Sequence, residues 1–79
     1  MNTKLSAQTR PYVAKNGKQQ FKPSLALTML MNENGEGFCL ACGEIQDCVE
    51  PDARQYECEC CGAPKVYGAE ELVLMGLTF

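Results

Sequence analysis

A small metal-stabilised α+β domain is what this sequence predicts, with two metal-binding turns carried on a β-hairpin and a short C-terminal helix. Three observations carry that expectation. Four of the six cysteines in the 79 residues fall in two Cys-x-x-Cys-Gly units, Cys39/Cys42/Gly43 and Cys58/Cys61/Gly62, with fifteen residues between Cys42 and Cys58. Paired units at that separation have the spacing of a four-cysteine zinc site. The cysteine-bearing part of the chain is about fifty residues long, a size at which an apolar core alone is marginal, so metal must contribute to folding. Finally, short Leu/Ala/Met-rich runs stand on either side of the cysteines, at Leu25–Met31 and Leu72–Met75, and can pack on the metal turns.

The chemistry needs this pattern because a tetrahedral site takes four thiolates. Two cysteines three apart bend one tight turn around the metal with backbone N–H groups aimed at the sulfurs, and a following glycine accepts the left-handed conformation by which the chain leaves. A three-disulfide framework is the competing use of six cysteines. Each Cys-x-x-Cys pair is too close in sequence to close a useful loop, and Leu25–Met31, interrupted by Thr28 and followed by Asn-Glu-Asn-Gly, is a poor signal peptide. No apolar run approaches the length that spans a bilayer. A reducing cytoplasm is therefore expected, where such cysteines hold metal.

The net charge of −3 hides an asymmetry. Residues 1–22 carry Lys4, Arg10, Lys15, Lys18 and Lys22 with no acid, +5, whereas residues 23–79 carry Arg54 and Lys65 against ten acids, −8. Four thiolates around one Zn²⁺ would take the body to about −10. The expected organisation is a basic, flexible N-terminal arm, 1–23, on an acidic zinc-ribbon domain, 24–79.

In chain order, residues 1–21 are polar and lack periodicity beyond a short extended piece at Arg10–Lys15, with Pro11 and Asn16-Gly17 as turn signals. Ser24 is placed to cap a helix over Leu25–Met31, although the alternation of Leu25, Leu27, Met29 and Met31 fits a strand as well. The run is expected to cover one face of the ribbon; a partner-binding patch is the alternative use of its methionines. Residues 44–49 read as a strand, Glu50-Pro51-Asp52-Ala53 as a turn, and residues 54–57 as the returning strand, so that one hairpin joins the two metal turns. Lys65-Val66-Tyr67 suggests a third strand. Gly68–Gly76 then reads as a short helix, with Glu70 and Glu71 in its first turn and Leu72, Val73 and Met75 needing something to pack on.

Gly37-Phe38-Cys39-Leu40-Ala41-Cys42-Gly43-Glu44, Val49-Glu50-Pro51-Asp52-Ala53-Arg54, Tyr56-Glu57-Cys58 and Val66-Tyr67-Gly68-Ala69-Glu70-Glu71-Leu72 together resemble a group of small zinc-ribbon proteins of bacteriophages and prophages. The resemblance covers about fifty residues, Leu27 to Met75. It implies a rubredoxin-type ribbon with Cys39, Cys42, Cys58 and Cys61 as ligands, and it implies no activity. The basic arm before Leu25, and Cys48 and Cys60, lie outside the shared pattern.

Cys60 would point away from a metal held by Cys58 and Cys61, and Cys48 would sit on the hairpin. Both read as spectator thiols, ahead of a second partial metal site or a redox pair, because Glu57 and Glu59 oppose a lowered thiol pKa. An enzyme is not expected. The chain has no histidine, and a closed four-thiolate site leaves no open position for water or substrate. The same ligands could hold iron in an electron carrier, but the short interval and the few aromatic residues near the turns favour one zinc per chain.

Two functions remain. The first is a structural zinc module acting through protein–protein interaction, a phage-type regulator or inhibitor presenting an acidic face to a host protein. The second is nucleic-acid binding through Lys4, Arg10, Lys15, Lys18 and Lys22, with Tyr12 and Phe21 as stacking groups unless they dock on the body. Charge ranks the first higher, since the hairpin sets Arg54 alone against Glu44, Asp47, Glu50, Asp52, Glu57 and Glu59.

Overall fold

The computed structural model describes residues 9–79. Ser24 begins a helix, α1 (Leu25–Asn34), by accepting a hydrogen bond from the Leu27 N–H at 3.1 Å, and the Thr28 hydroxyl returns one to the Ser24 carbonyl at 2.8 Å. The N-cap decides what periodicity left open between helix and strand. The helix runs on through Asn34, one turn beyond the apolar run, and closes at Gly35 with its N–H on the Met31 carbonyl.

A three-stranded antiparallel sheet follows, in the order β4-β3-β5, with β3 (Gly37–Cys39) between β4 (Ile45–Gln46) and β5 (Val66–Gly68). Phe38 pairs with Ile45 on one side and with Tyr67 on the other. The expected third strand is thus present, but as the partner of β3.

The single hairpin expected between residues 44–49 and 54–57 is replaced by one short hairpin and one isolated bridge. β4 turns back onto β3, and Tyr56 exchanges both backbone hydrogen bonds with Val66, each 3.0 Å. The physical reason is local. Each Cys-x-x-Cys-Gly unit is itself a tight turn, so the segments entering and leaving it are nearest neighbours and pair with one another. The intervening chain is drawn elsewhere: the Val49 N–H bonds the Gly35 carbonyl, and the buried Val49 side chain fills the space beside Gly37.

The C-terminal helix, α2 (Ala69–Leu74), carries Glu70 and Glu71 in its first turn and ends with the Leu77 N–H on the Leu72 carbonyl. Of the three residues expected to pack, Leu72 is fully buried, whereas Val73 and Met75 are exposed. Leu72 joins Leu27, Met31, Phe38, Leu40 and Tyr67 in an apolar cluster between the two helices and the sheet. A second cluster, Val49, Ala53 and Val66 with Cys39 and Cys58, lies directly against the cysteine site.

Residues 9–23, assigned from sequence to an arm outside the domain, form a β-hairpin of β1 (Thr9–Val13) and β2 (Gln19–Pro23) with Arg10 opposite Lys22. It is tied to the rest of the chain. The Phe21 N–H bonds the Leu40 carbonyl at 2.8 Å, the Phe79 N–H bonds the Pro23 carbonyl, and the Arg10 guanidinium lies 4.1 Å from the centre of the Phe79 ring.

Arg54, the lone cation of the intervening segment, pairs with the second helix while its own side chain stays 71% exposed. Its Nε is 3.0 Å from Glu71 Oε2, and the Glu71 side chain is only 7% exposed. Replacing Arg54 by Ala removes the partner of a nearly buried carboxylate, and because the guanidinium is itself largely solvated the expected cost is about 1 kcal/mol. Urea unfolding should show a lower midpoint at unchanged slope, with part of the loss recovered in the double variant Arg54→Ala/Glu71→Gln. An unchanged midpoint in the single variant would show that the pair contributes nothing.

Candidate metal centre

The two cysteine turns are built alike. The Gly43 N–H bonds the Cys39 carbonyl and the Gly62 N–H bonds the Cys58 carbonyl, each at 2.8 Å. The Cys39 N–H bonds the Glu44 carbonyl and the Cys58 N–H bonds the Ala63 carbonyl, each at 2.9 Å. Gly43 and Gly62 stand at φ 81° and 80°, a conformation that a Cβ resists by about 1 kcal/mol or more. This is why glycine follows each pair of cysteines. Within the second turn, the N–H groups of Cys60 and Cys61 point at Cys58 Sγ, 3.3 and 3.4 Å away.

All four predicted sulfurs converge. Cys39, Cys42, Cys58 and Cys61 place their Sγ atoms within 4.8 Å of one another, and the Cys39–Cys61 and Cys42–Cys58 separations are both 3.7 Å. A disulfide would bring two sulfurs to about 2.05 Å. A tetrahedron with metal–sulfur bonds of about 2.3 Å has an edge of about 3.8 Å, so the observed separations fit four thiolates around one ion. That edge is the decisive observation. The cysteines form a site able to hold a metal, at the junction of β3 and the two turns.

The electrostatics of the cluster are in conflict without a cation. Backbone N–H groups of Cys61 and Cys60 lower the Cys58 thiol to about 7 from its ordinary 9.0. Burial raises both Cys39 and Cys42, against backbone N–H groups that favour their thiolates. The signs oppose one another. Cys58 contributes stability that is full above pH 9 and lost as pH falls through about 7, whereas Cys39 and Cys42 contribute stability that is lost as pH rises through their raised values. A bound divalent cation resolves the conflict by favouring the thiolate at every position.

No family model, curated protein or solved structure matches this chain.

Cys48 and Cys60 stay outside the cluster, both exposed, with Cys48 at φ 59°. Sequence reasoning missed Gln46. Its Oε1 accepts the Glu59 N–H at 2.9 Å and its Nε2 donates to the Glu57 carbonyl at 3.4 Å, so one side chain fastens the first hairpin to the second cysteine turn. Nothing local in the sequence signals a contact spanning 11 and 13 residues. Among the residues singled out for nucleic acid, Arg10, Lys15, Lys18 and Lys22 all lie on the β1–β2 hairpin, and Lys4 lies outside the described residues. Tyr12 donates its hydroxyl hydrogen bond to Gln20 Oε1 and lies beneath Lys22, while Phe21 packs against the apolar core beside Gly43. Phe21 is therefore engaged internally.

Among the described residues, no helix is long and apolar enough to cross a membrane.

Proposed function

We propose that the chain is a rubredoxin-type zinc ribbon whose one Zn²⁺, held by Cys39, Cys42, Cys58 and Cys61, is structural, and whose work is to bind another protein. The convergence of the four sulfurs within 4.8 Å carries this reading. Four protein thiolates fill a tetrahedral zinc ion, leaving no position for a substrate, and structural sites of this kind shape a surface for recognition. The backbone N–H groups of the turns hold the thiolates in place, and the apolar cluster of Val49, Ala53 and Val66 shields the site from one side.

The acidic charge of residues 23–79, ten acids against Arg54 and Lys65, favours a partner with a basic surface. With Arg54 engaged by Glu71, that face has little cation left to offer a phosphate backbone. On this reading the chain is a small phage-type regulator or inhibitor of a host protein, acting in the host cytoplasm. Capture with the zinc-loaded full chain should recover a defined host protein, with yield falling as salt rises. Recovery of nucleic acid alone would overturn the reading.

One observation favours a second reading. Four cations, with no acid among residues 9–23, are gathered on the β1–β2 hairpin, and Arg10 and Lys22 stand directly opposite each other. Arg10 lies over the Phe79 ring and Lys22 over the Tyr12 ring, whereas Lys15 and Lys18, at the turn of the hairpin, are exposed. If that hairpin, together with Lys4 ahead of it in the sequence, binds nucleic acid, affinity should fall with salt at a slope no steeper than about −4.5 for five phosphates on a duplex, and Lys15→Glu/Lys18→Glu should abolish it.

A further inference from the structure

Helices α1 and α2 leave an apolar face uncovered. A groove of about 360 Å³ runs between them, with Met29 on one bank and Val73 and Leu74 on the other. These three side chains are 60%, 49% and 80% exposed. Leu25, also exposed, precedes Met29 by one turn of α1 and extends the same face. The core already takes Leu27 and Met31 from α1 and Leu72 from α2, so the exposed set is a second face beyond what the fold requires.

The charges around the groove select its occupant. Glu33 on α1 and Glu70 on α2 line it, with no lysine or arginine among the lining residues, and neither carboxylate is ion-paired among the described residues. An acidic pair across an apolar trough is complementary to a segment with an apolar stripe and cationic flanks. The trough is open to solvent, whereas a small-molecule site encloses most of its ligand. The lining spans Thr28 to Glu33 on α1 and Ala69 to Leu74 on α2, about 9 Å of each helix, the length over which a docked helix presents anchors at i and i+3/i+4.

We infer that the groove between α1 and α2 docks a cationic amphipathic helix of a partner protein, with its apolar stripe against Met29, Val73 and Leu74 and its cations against Glu33 and Glu70. This rests on the reading of the chain as an interaction module and names the surface that performs it. The zinc site stands apart from the groove and acts by holding the sheet on which both helices pack.

The test uses the full zinc-loaded chain and a synthetic Leu/Lys peptide of about 14 residues with apolar side chains at helical spacing, with a Leu/Glu peptide of the same pattern as control. Amide shifts on titration should move along α1 and α2, and the Leu/Glu peptide should bind at least about tenfold more weakly, a difference of about 1.4 kcal/mol. Met29→Ser/Leu74→Ser, which alters only exposed side chains, should weaken the Leu/Lys peptide by a similar factor while keeping the melting profile. Glu33→Gln/Glu70→Gln should weaken it and flatten its salt dependence. Absence of binding, equal binding by the Met29→Ser/Leu74→Ser variant, or shifts confined to the acidic loops of the sheet would overturn the inference. So would a dimer in sedimentation that Leu74→Ser dissociates, since a second copy would then cover the groove. A host protein captured equally by wild type and by Met29→Ser/Leu74→Ser leaves the interaction module standing and removes the groove as its docking surface.

Discussion

Removal of metal at neutral pH is expected to unfold the chain cooperatively rather than loosen a corner of it. Structural zinc in small modules brings roughly 10–16 kcal/mol of apparent binding free energy, as large as the whole stability of a typical domain, about 5–15 kcal/mol. The reason in this chain is positional. Two of the four sulfurs, those of Cys39 and Cys58, are part of the cluster with Val49, Ala53 and Val66, so the site and half of the core are one object. Beyond the sulfurs, the second turn is joined to the first hairpin through Gln46 and to β5 through the two Tyr56–Val66 hydrogen bonds. Without the ion, opposed thiol preferences at Cys58 and at Cys39 and Cys42 remain in a confined space. A strong chelator should collapse amide dispersion throughout residues 24–79, and readdition of zinc should restore it. Acidification should do the same, as protons displace the cation from thiolates. A metal-free protein with dispersed amides and a sharp melt would show that the apolar clusters suffice.

The second large effect is expected at Gly68, whose φ of −74° is open to any residue, so its requirement is steric and not conformational. A Cβ there would be driven into the carbonyl oxygens of Glu50 and Pro51, and these are backbone atoms that no rotamer change can move aside. The same carbonyl of Pro51 accepts the Glu71 N–H and the Gly68 N–H bonds the Ala53 carbonyl. The 50–53 turn is thus clamped against the start of α2. Overpacking ordinarily costs about 1–3 kcal/mol, and Gly68→Ala should sit at or above the upper end, lowering Tm by about 10 °C or more in a domain of this size. Gly17→Ala, with open space at the Cβ and φ 86°, should cost only about 1–2 kcal/mol. Equal Tm for Gly68→Ala and wild type, both zinc-loaded, would contradict the clamp.

The site was legible because its determinants are local. Cysteines three apart and the glycine after each pair are demands of a single turn, and both turns form as their spacing predicts. The caps of α1 and the glutamates of α2 are local in the same way. What escaped the sequence is what distant residues decide. The β1–β2 hairpin contains Pro11 and Pro23 and no alternation of apolar residues, and it is held by contacts with Leu40 and Phe79 that no short window contains. β3 pairs with β5, which is distant in sequence, and Val49 sits beside Gly37, while the hairpin of residues 44–49 with 54–57 that turn signals at residues 50–53 suggested is not formed. The burial of Leu72 beside the exposure of Val73 and Met75 follows from where α2 docks, since six residues of helix have no face until they are placed.

The most direct test of the central claim, a single structural zinc held by four cysteines, is the metal content of the intact chain measured by native mass spectrometry and elemental analysis. One zinc per chain and little iron are expected, retained in full by Cys48→Ser/Cys60→Ser and lost, together with the folded spectrum, in Cys42→Ser. A red iron-containing product, or zinc that leaves when Cys48 and Cys60 are replaced, would contradict it.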